Sequence, residues 1–335
     1  MIRITSILTG HDAYDQIRTV RPLAWPGVKD ALWKEGVHVE TKMFSEVSLQ
    51  DLGATDHLVL HGVATPGIMN LLRKLPCRFS VFQDDLMRVK DIPDWNPNKI
   101  TEAQEQVLGY LLENSAAIVT TTAALRDECG YPEKTVVQGN LEDFSERPGV
   151  RPMDVACYCG GNSHAGDIEL LNGLEWSGKT IVWSSCLPSS KTAMFRNRQG
   201  GMELRPNDPK WGWIQATNKY EEYCVYLKNL APSVGIGLMP LVDCRFNAAK
   251  SVLKFIEMTK CGWVTVVSDV APYFWLPDNC CIKVGELWNW SDAVAYAAQL
   301  PSIAASAWDY CWSVHSYQEH WRDWVSVYQF IASRT

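Results

Sequence analysis

The sequence predicts an α/β protein built from two Rossmann-like domains. Short apolar runs alternate with helix-like segments along the chain, and this alternation starts again after a proline-containing break near the middle. A chain of 335 residues is long enough for two domains that each bury a core. We therefore expect domains at residues 1–148 and 149–307, followed by a helical, aromatic-rich segment at 308–335.

In the first half, six apolar runs predict the strands of a parallel sheet: IRITSILT, VHVETKMF, HLVLHG, RFSVFQ, AAIVTTT and TVVQGN. The segment TEAQEQVLGYLLEN predicts a helix, and residues near 14–34 predict a helix that is interrupted between Pro22 and Pro26. Residues 142–152 hold two prolines, a glycine and mixed charges, so we expect the interdomain linker there.

The second half repeats the alternation. Its predicted strands are DVACYCGG, TIVWSSC, VGIGLMPL, WVTVVS and CCIKV. Helices are predicted near 165–174, 218–230 and 250–260, whereas residues 185–217 are expected to be irregular. Two such units in succession are typical of a pair of facing Rossmann-like domains with a cleft between them.

Composition and charge exclude several classes of protein. No run approaches the roughly 18 apolar residues that a transmembrane helix requires. The opening segment MIRITSILT predicts a first strand rather than a signal peptide. Eleven cysteines show no disulfide or zinc spacing, which favours reduced thiols in a cytoplasmic protein. A net charge of −7 argues against a general nucleic-acid binder.

The strongest candidate for a site is the segment F-N-A-A-K-S-V-L-K-F-I-E, which ends at Glu257. Ser251 is a suitable N-cap for a helix whose free N–H groups can hold a diphosphate, with Lys250 or Lys254 adding charge. Glu257 follows about two turns into that helix, where a carboxylate can accept both hydroxyls of a ribose. On spacing alone, a capped surface helix with a solvated face is an equally good interpretation.

A second candidate follows the strand DVACYCGG in the segment C-G-G-N-S-H-A-G-D. Gly160 and Gly161 allow a ligand to approach the backbone closely, and His164 and Asp167 stand near the next helix start. Taken alone, the pattern also fits an ordinary strand–turn–helix connection.

Four residues after early strands are candidates for catalysis, because ligand sites of α/β proteins gather where parallel strands end. They are Asp84 and Asp85 after RFSVFQ, His61 at the end of HLVLHG, and Asp12 in the loop after the first strand. For Asp84 and Asp85 the alternative is that they cap a helix or bind nothing, and for His61 the alternative is a structural role. The aspartates are adjacent rather than spaced as D-x-D, and we expect no metal site.

Together these segments resemble GT-B glycosyltransferases similar to family 4, in a subgroup with GGxxHxxD and FNxxKSxxKxxE motifs that is common in bacterial surface-glycan clusters and phage genomes. The progression of D-D, A-I-V-T-T-T and Asn140 in the first half resembles the same family. The resemblance implies a nucleoside diphosphate sugar as donor, most simply a UDP-sugar, with no bound cofactor and no divalent cation. It also implies that Glu257 contacts the ribose. The first glutamate of the family's E-x7-E pair falls at Ala249, so its role is unassigned and both stereochemical outcomes stay open.

The resemblance leaves three hypotheses about function. The first is transfer to a glycan or other saccharide, and the second is transfer to 5-hydroxymethyl-pyrimidines in DNA. The third is a non-catalytic protein that binds a sugar nucleotide or glycan. Local support for DNA is limited to five basic residues, Arg73, Lys74, Arg78, Arg88 and Lys90. Residues 1–150 carry 15 Lys and Arg against 21 Asp and Glu, which weighs towards a glycan.

Overall fold

The computed structural model describes residues 1–8, 16–61, 68, 72–73, 77–96, 99–171, 173–184, 211–215, 220–286 and 288–335. It contains two parallel six-stranded sheets with helices packed on them. This confirms the predicted α/β class with two Rossmann-like units. Among the described helices, none is long and apolar enough to cross a membrane.

The first sheet has the strand order β2-β1-β3-β4-β5-β6. Its strands are β1 Ile2–Leu8, β2 Val37–Met43, β3 His57–His61, β4 Arg78–Gln83, β5 Ala117–Thr120 and β6 Thr135–Val137. All six coincide with the predicted runs, because the core-facing positions of each strand need apolar side chains.

The helices of the first half are α1 Arg21–Ala24, α2 Val28–Lys34, α3 Leu49–Gly53, α4 Glu102–Asn114 and α5 Ala123–Cys129, and a π-helical turn Gln16–Val20 leads into α1. Local sequence explains their starts. Ser48 and Thr101 form capping boxes at α3 and α4, and Thr122 caps α5 through the N–H of Leu125. The predicted interruption between Pro22 and Pro26 separates α1 from α2.

The second sheet has the order β12-β11-β10-β7-β8-β9. Its strands are β7 Val155–Gly160, β8 Lys179–Ser184, β9 Trp211–Gln215, β10 Ile236–Met239, β11 Val264–Ser268 and β12 Ile282–Val284. Strand β9 corrects the expectation that residues 185–217 are irregular: an edge strand of five residues pairs with β8 in parallel. The strand order reverses between β7 and β10, where ligands of such sheets bind.

The remaining helices are α6 Ala165–Ile168, α7 Tyr220–Leu230, α8 Arg245–Ala248, α9 Leu253–Lys260, α10 Trp290–Ala297, α11 Ser302–His315 and α12 Tyr317–Ala332. Single 3₁₀ turns lie at Phe44–Glu46, Pro132–Lys134, Asn162–His164, Glu169–Leu171, Ala231–Ser233 and Tyr273–Trp275. Helices α7, α9 and α11 share one apolar cluster of the second sheet, and α6 and α10 share the other.

The terminal helix α12 returns to the first half of the chain. Trp324, Tyr328 and Ile331 are fully buried against strands and helices of the first sheet. The break between α11 and α12 falls at Ser316, which has an extended backbone and caps α12 by accepting from the Glu319 N–H with its hydroxyl. Ser316 also pairs with Glu142 in an isolated parallel bridge, so the two connections between the halves lie side by side.

Candidate active site

The carboxyl ends of the two sheets face each other across the turn that joins α8 to α9. After β4, Asp85 forms an ion pair with Lys250 at 3.3 Å. After β5, the hydroxyl of Thr122 donates to the carbonyl of Ala249 at 2.9 Å. These contacts bring the predicted acidic pair and the predicted basic motif to one cleft.

The same turn corrects one detail of the sequence interpretation. Ser251 is not the N-cap of the following helix: α9 begins at Leu253, and its N-cap position is Val252, which makes no side-chain cap bond. The hydroxyl of Ser251 instead accepts a hydrogen bond of 2.7 Å from the side-chain amide of Asn140, in the first half of the chain. The helix starts one residue later than an N-cap at Ser251 would place it, because the preceding turn joins the two halves.

Positive charge concentrates at the start of α9. The Lys254 ammonium lies 5.4 Å from the centre of the Tyr158 ring, and burial lowers the pKa of Lys254 to about 8. Among the described residues, no carboxylate lies within ion-pair distance of this ammonium. Lys250 is close enough to lower the pKa of Lys254 further by repulsion, whereas Asp167 opposes the shift. A half-buried cation of this kind favours an anionic ligand.

His164 lies beside the same region, and buried hydrogen bonds hold its ring in place. Its Nδ1 lies 2.7 Å from one oxygen of Asp167, and the other oxygen accepts from the amide of Asn247 at 3.0 Å and from the Val242 N–H at 2.8 Å. Burial first, and then repulsion from Lys254, lowers the pKa of His164 to about 4, although the bond to Asp167 opposes this shift. Asp167 is fully buried, and we infer that it orients His164; its contact with a donor stays a prediction.

Two glycines of the segment C-G-G-N-S-H-A-G-D, Gly160 and Gly166, are explained by close packing. A Cβ on Gly160 would lie 2.1 Å from the hydroxyl oxygen of Tyr158. A Cβ on Gly166 would lie 2.5 Å from the ring of Trp95, which comes from the first half of the chain. Gly161 is exposed, and its carbonyl accepts from the His164 N–H at 3.1 Å. The strand–turn–helix therefore also forms part of the contact between halves.

Glu257 lies on α9 and is 7% exposed. Its two carboxylate oxygens accept hydrogen bonds from Tyr220 at 2.7 Å and Tyr223 at 2.9 Å. Burial raises the pKa of Glu257 to about 7, and the tyrosine hydroxyls act against this rise. The carboxylate therefore lies beside the positive region, but its present partners are side chains of α7.

Asp84 and Asp85 have different surroundings. Asp84 forms an ion pair of 2.7 Å with the buried Arg18, whose guanidinium also donates to the Gln138 carbonyl. Burial raises the pKa of Asp84 to about 6, although Arg18 opposes that shift. Asp85 is the more accessible of the two and reaches across the cleft to Lys250. Both catalytic assignments stay predictions.

The two remaining catalytic candidates are placed differently. His61 is buried at the end of β3, and its Nε2 lies 2.7 Å from the Thr19 hydroxyl and 2.9 Å from the Ser6 hydroxyl. Burial lowers the pKa of His61 to about 3, so the ring is neutral at physiological pH. Asp12 lies outside the described residues. The catalytic roles of His61 and Asp12 both stay predictions.

Sequence reasoning did not assign several residues that surround these groups, namely Arg18, Asn140, Tyr158, Tyr220, Tyr223 and Asn247. The pair Tyr220 and Tyr223 had a usable signal, because a spacing of three residues puts two side chains on one helix face.

The ten cysteines in the described part of the chain are free thiols. Across the same residues, no group of three or more His, Cys, Asp and Glu could hold a metal ion.

No protein-family model matches this sequence, and a search of curated protein sequences finds no match. Solved structures do match over nearly the whole chain. A sucrose-phosphate synthase from Thermosynechococcus elongatus has a TM-score of 0.64 at 13% identity, with 100% of both chains covered. An alpha-glucosyltransferase solved with UDP-glucose and DNA containing an abasic site has a TM-score of 0.66 at 13% identity, with 99% of both covered.

HepE from Anabaena, solved with UDP and glucose, is similar at a TM-score of 0.61 and 12% identity, with 99% of both chains covered. At such identities the comparison establishes the fold. The matches extend across both sheets and the cleft between them, in agreement with the facing carboxyl edges described above. The chain therefore has the GT-B fold of these glycosyltransferases.

Proposed function

We propose that this protein is a glycosyltransferase that moves a sugar from a nucleoside diphosphate sugar, most simply a UDP-sugar, to a hydroxyl acceptor. The unit at 149–307 binds the donor, and the unit at 1–148 presents the acceptor. Two of the similar structures contain UDP or UDP-glucose, which supports the choice of donor.

The observation that carries this proposal is the positive region at the carboxyl edge of the second sheet. A diphosphate supplies the counter-charge that Lys254 lacks among the described residues, and Lys250 and His164 flank the same position. The first turn of α9 adds free N–H groups and the positive end of its dipole. These are the groups that stabilise a leaving diphosphate, because charge develops on its oxygens as the glycosidic bond breaks.

The proposed roles follow from position. Glu257 accepts the ribose hydroxyls, the exposed Gly161 allows the diphosphate to approach the backbone, and Lys250 exchanges Asp85 for phosphate when the donor binds. Asp85 lies beside the transferred sugar, where a carboxylate can accept a proton from the acceptor hydroxyl.

We further propose that transfer needs no divalent cation. Lys250 and Lys254 supply the positive charge that a metal ion supplies in other transferases. Full loss of turnover in EDTA, restored by manganese or magnesium, would contradict this.

We favour a glycan or other saccharide as acceptor. Of the five basic residues that would serve DNA, Arg88 pairs with Glu128 at 3.3 Å and Arg78 donates to the carbonyl of Arg334 at 2.7 Å. Arg73 and Lys90 are exposed, and Lys74 lies outside the described residues. The ion pair with Glu128 already compensates the charge of Arg88, so Arg88 contributes less to phosphate binding.

Hydroxymethylated DNA is the second candidate acceptor, because one of the similar glucosyltransferases was solved with DNA. A duplex acceptor would have to present a flipped base to an interdomain cleft. It would also bind with a steep dependence on salt, and Arg73→Glu would weaken that binding.

The experiment begins with thermal-shift measurements of UDP-, GDP- and dTDP-sugars, followed by transfer assays on saccharides and on hydroxymethylated duplex. Donor binding with transfer to saccharides supports the proposal, and transfer to DNA alone selects the second acceptor. Binding without transfer or donor hydrolysis identifies a non-catalytic sugar-nucleotide protein. Absence of any nucleotide binding refutes the proposed function.

A further inference from the structure

The surroundings of Glu257 contain a feature that the proposed donor site does not explain. Both carboxylate oxygens are bonded to tyrosine hydroxyls, Tyr220 at 2.7 Å and Tyr223 at 2.9 Å. The two tyrosines stand one turn apart at the start of α7, so their hydroxyls converge on one point. A carboxylate has about four lone-pair positions, and two bonds leave capacity for further hydroxyl donors.

Tyr220 also connects Glu257 to the other half of the chain. The guanidinium of Arg21 donates to the Tyr220 hydroxyl at 3.3 Å and lies 4.8 Å from the centre of its ring. Arg21 forms an ion pair with the buried Glu142, which also accepts from Lys260 at 3.0 Å. A continuous polar chain therefore runs from the ribose-binding candidate through α7 to the first turn of α1.

The charged and titratable groups around Glu257 act in opposite directions. Burial raises its pKa to about 7, and Glu142 adds to that rise. The hydrogen bonds from Tyr220 and Tyr223 lower the pKa of Glu257, as does the positive charge of Arg21. The other groups that face it are Lys254 on α9 itself, Cys224 on α7 and Cys261 after α9, and Cys159 on β7 lies near its partner Tyr223.

We propose that Tyr220 and Tyr223 are positioning residues of the donor site, which hold the Glu257 carboxylate ionised and aimed to accept the ribose hydroxyls. Tyr220 in addition ties this carboxylate to Arg21 of the first half. The proposal rests on the proposed function, since it assigns the ribose to Glu257.

The consequence is a defined pH dependence. Only the ionised carboxylate accepts from both ribose hydroxyls, so donor affinity rises with pH through the pKa of Glu257. Removing the Tyr220 hydroxyl removes a bond to the charged form, which raises that pKa by about one unit. UDP then binds about fivefold more weakly than to the wild type at pH 7, and about equally well at pH 9, because apparent affinity scales with the competent fraction.

The test compares wild type, Tyr220→Phe, Tyr223→Phe and the control Tyr310→Phe. Tyr310 packs its ring against Phe255 on α9 at 6.3 Å between centroids, so the control removes a hydroxyl near the same helix. Two quantities are measured for each protein: the titration of Glu257, from ¹³C-carboxyl NMR assigned by difference with Glu257→Gln, and the affinity for UDP between pH 6 and pH 9.

We expect both quantities to move together in Tyr220→Phe and Tyr223→Phe and to stay at wild-type values in Tyr310→Phe. In the Glu257→Gln background, Tyr220→Phe should no longer change the pH profile. A carboxyl titration that does not move overturns the positioning role. Tighter UDP binding by Tyr220→Phe also overturns it, because the hydroxyl would then compete with the ribose.

The proposed function can fail independently of the positioning role of the tyrosines. A wild-type protein that binds none of the nucleotide sugars refutes the donor assignment, and the carboxyl titration still decides whether the tyrosines hold Glu257 ionised.

Discussion

Replacing Lys254 by Met tests the proposed diphosphate site most directly, because the substitution keeps an unbranched side chain of similar length and removes the ammonium group. The ammonium is half-buried and has no ion pair among the described residues, so its loss leaves no carboxylate there without a partner. Lys250, by contrast, already pairs with Asp85. We therefore expect Lys254→Met to weaken donor binding more than Lys250→Met does.

The magnitude follows from the type of bond. A hydrogen bond between charged groups contributes about 1.5 to 3 kcal/mol, which corresponds to an increase of the UDP dissociation constant by about 10- to 150-fold at pH 7. Because burial lowers the pKa of Lys254 to about 8, the wild type should lose affinity as the pH rises above that value. Lys254→Met has no such group to deprotonate, so the two dissociation constants should converge at high pH.

Isothermal titration calorimetry with UDP at pH 7, 8 and 9 measures the dissociation constants of the wild type and of Lys254→Met. The matched control is Lys228→Met, which removes an exposed ammonium from α7 and should leave the affinity unchanged. The melting temperature of Lys254→Met should not fall below that of the wild type, because burying this charge opposes folding. An unchanged dissociation constant at pH 7, in a variant that folds normally, would refute the diphosphate assignment.

Three further predictions concern binding, metal dependence and packing. Glu257→Ala should weaken UDP binding by about 1.5 to 3 kcal/mol while the protein stays folded, and unchanged affinity in a calorimetric titration would remove this residue from the site. Turnover in EDTA should equal turnover with added magnesium, as a transfer assay can show. Gly166→Ala should destabilise the protein by about 1 to 3 kcal/mol in urea unfolding, because the added Cβ would lie 2.5 Å from the Trp95 ring. The control Gly109→Ala meets no atom within 4 Å and lies inside α4, so it should stabilise the protein by about 0.5 to 1 kcal/mol.

Much of the fold follows from local sequence. The predicted strands match because a buried parallel strand needs an apolar run, and that requirement can be read without knowing its neighbours. The polar residues after those runs were expected at one edge, and the structure does bring Asp85 to Lys250 there. Local pattern was insufficient at β9, a five-residue edge strand. It was also insufficient at Ser251, where the cap position depends on a partner 111 residues away.

The amino-acid sequence by itself determined the α/β class with its two successive sets of parallel strands, and it offered candidate residues for a donor site, because these depend on hydrophobic periodicity and short spacings. Only the tertiary structure decided how those residues are held. The tyrosines that bond to Glu257 lie 37 and 34 residues before it, and they reach it only because α7 and α9 pack on the same face of the second sheet. The same packing buries Lys254 and Glu257 and moves their pKa values towards neutrality, since burial disfavours the charged form of each group.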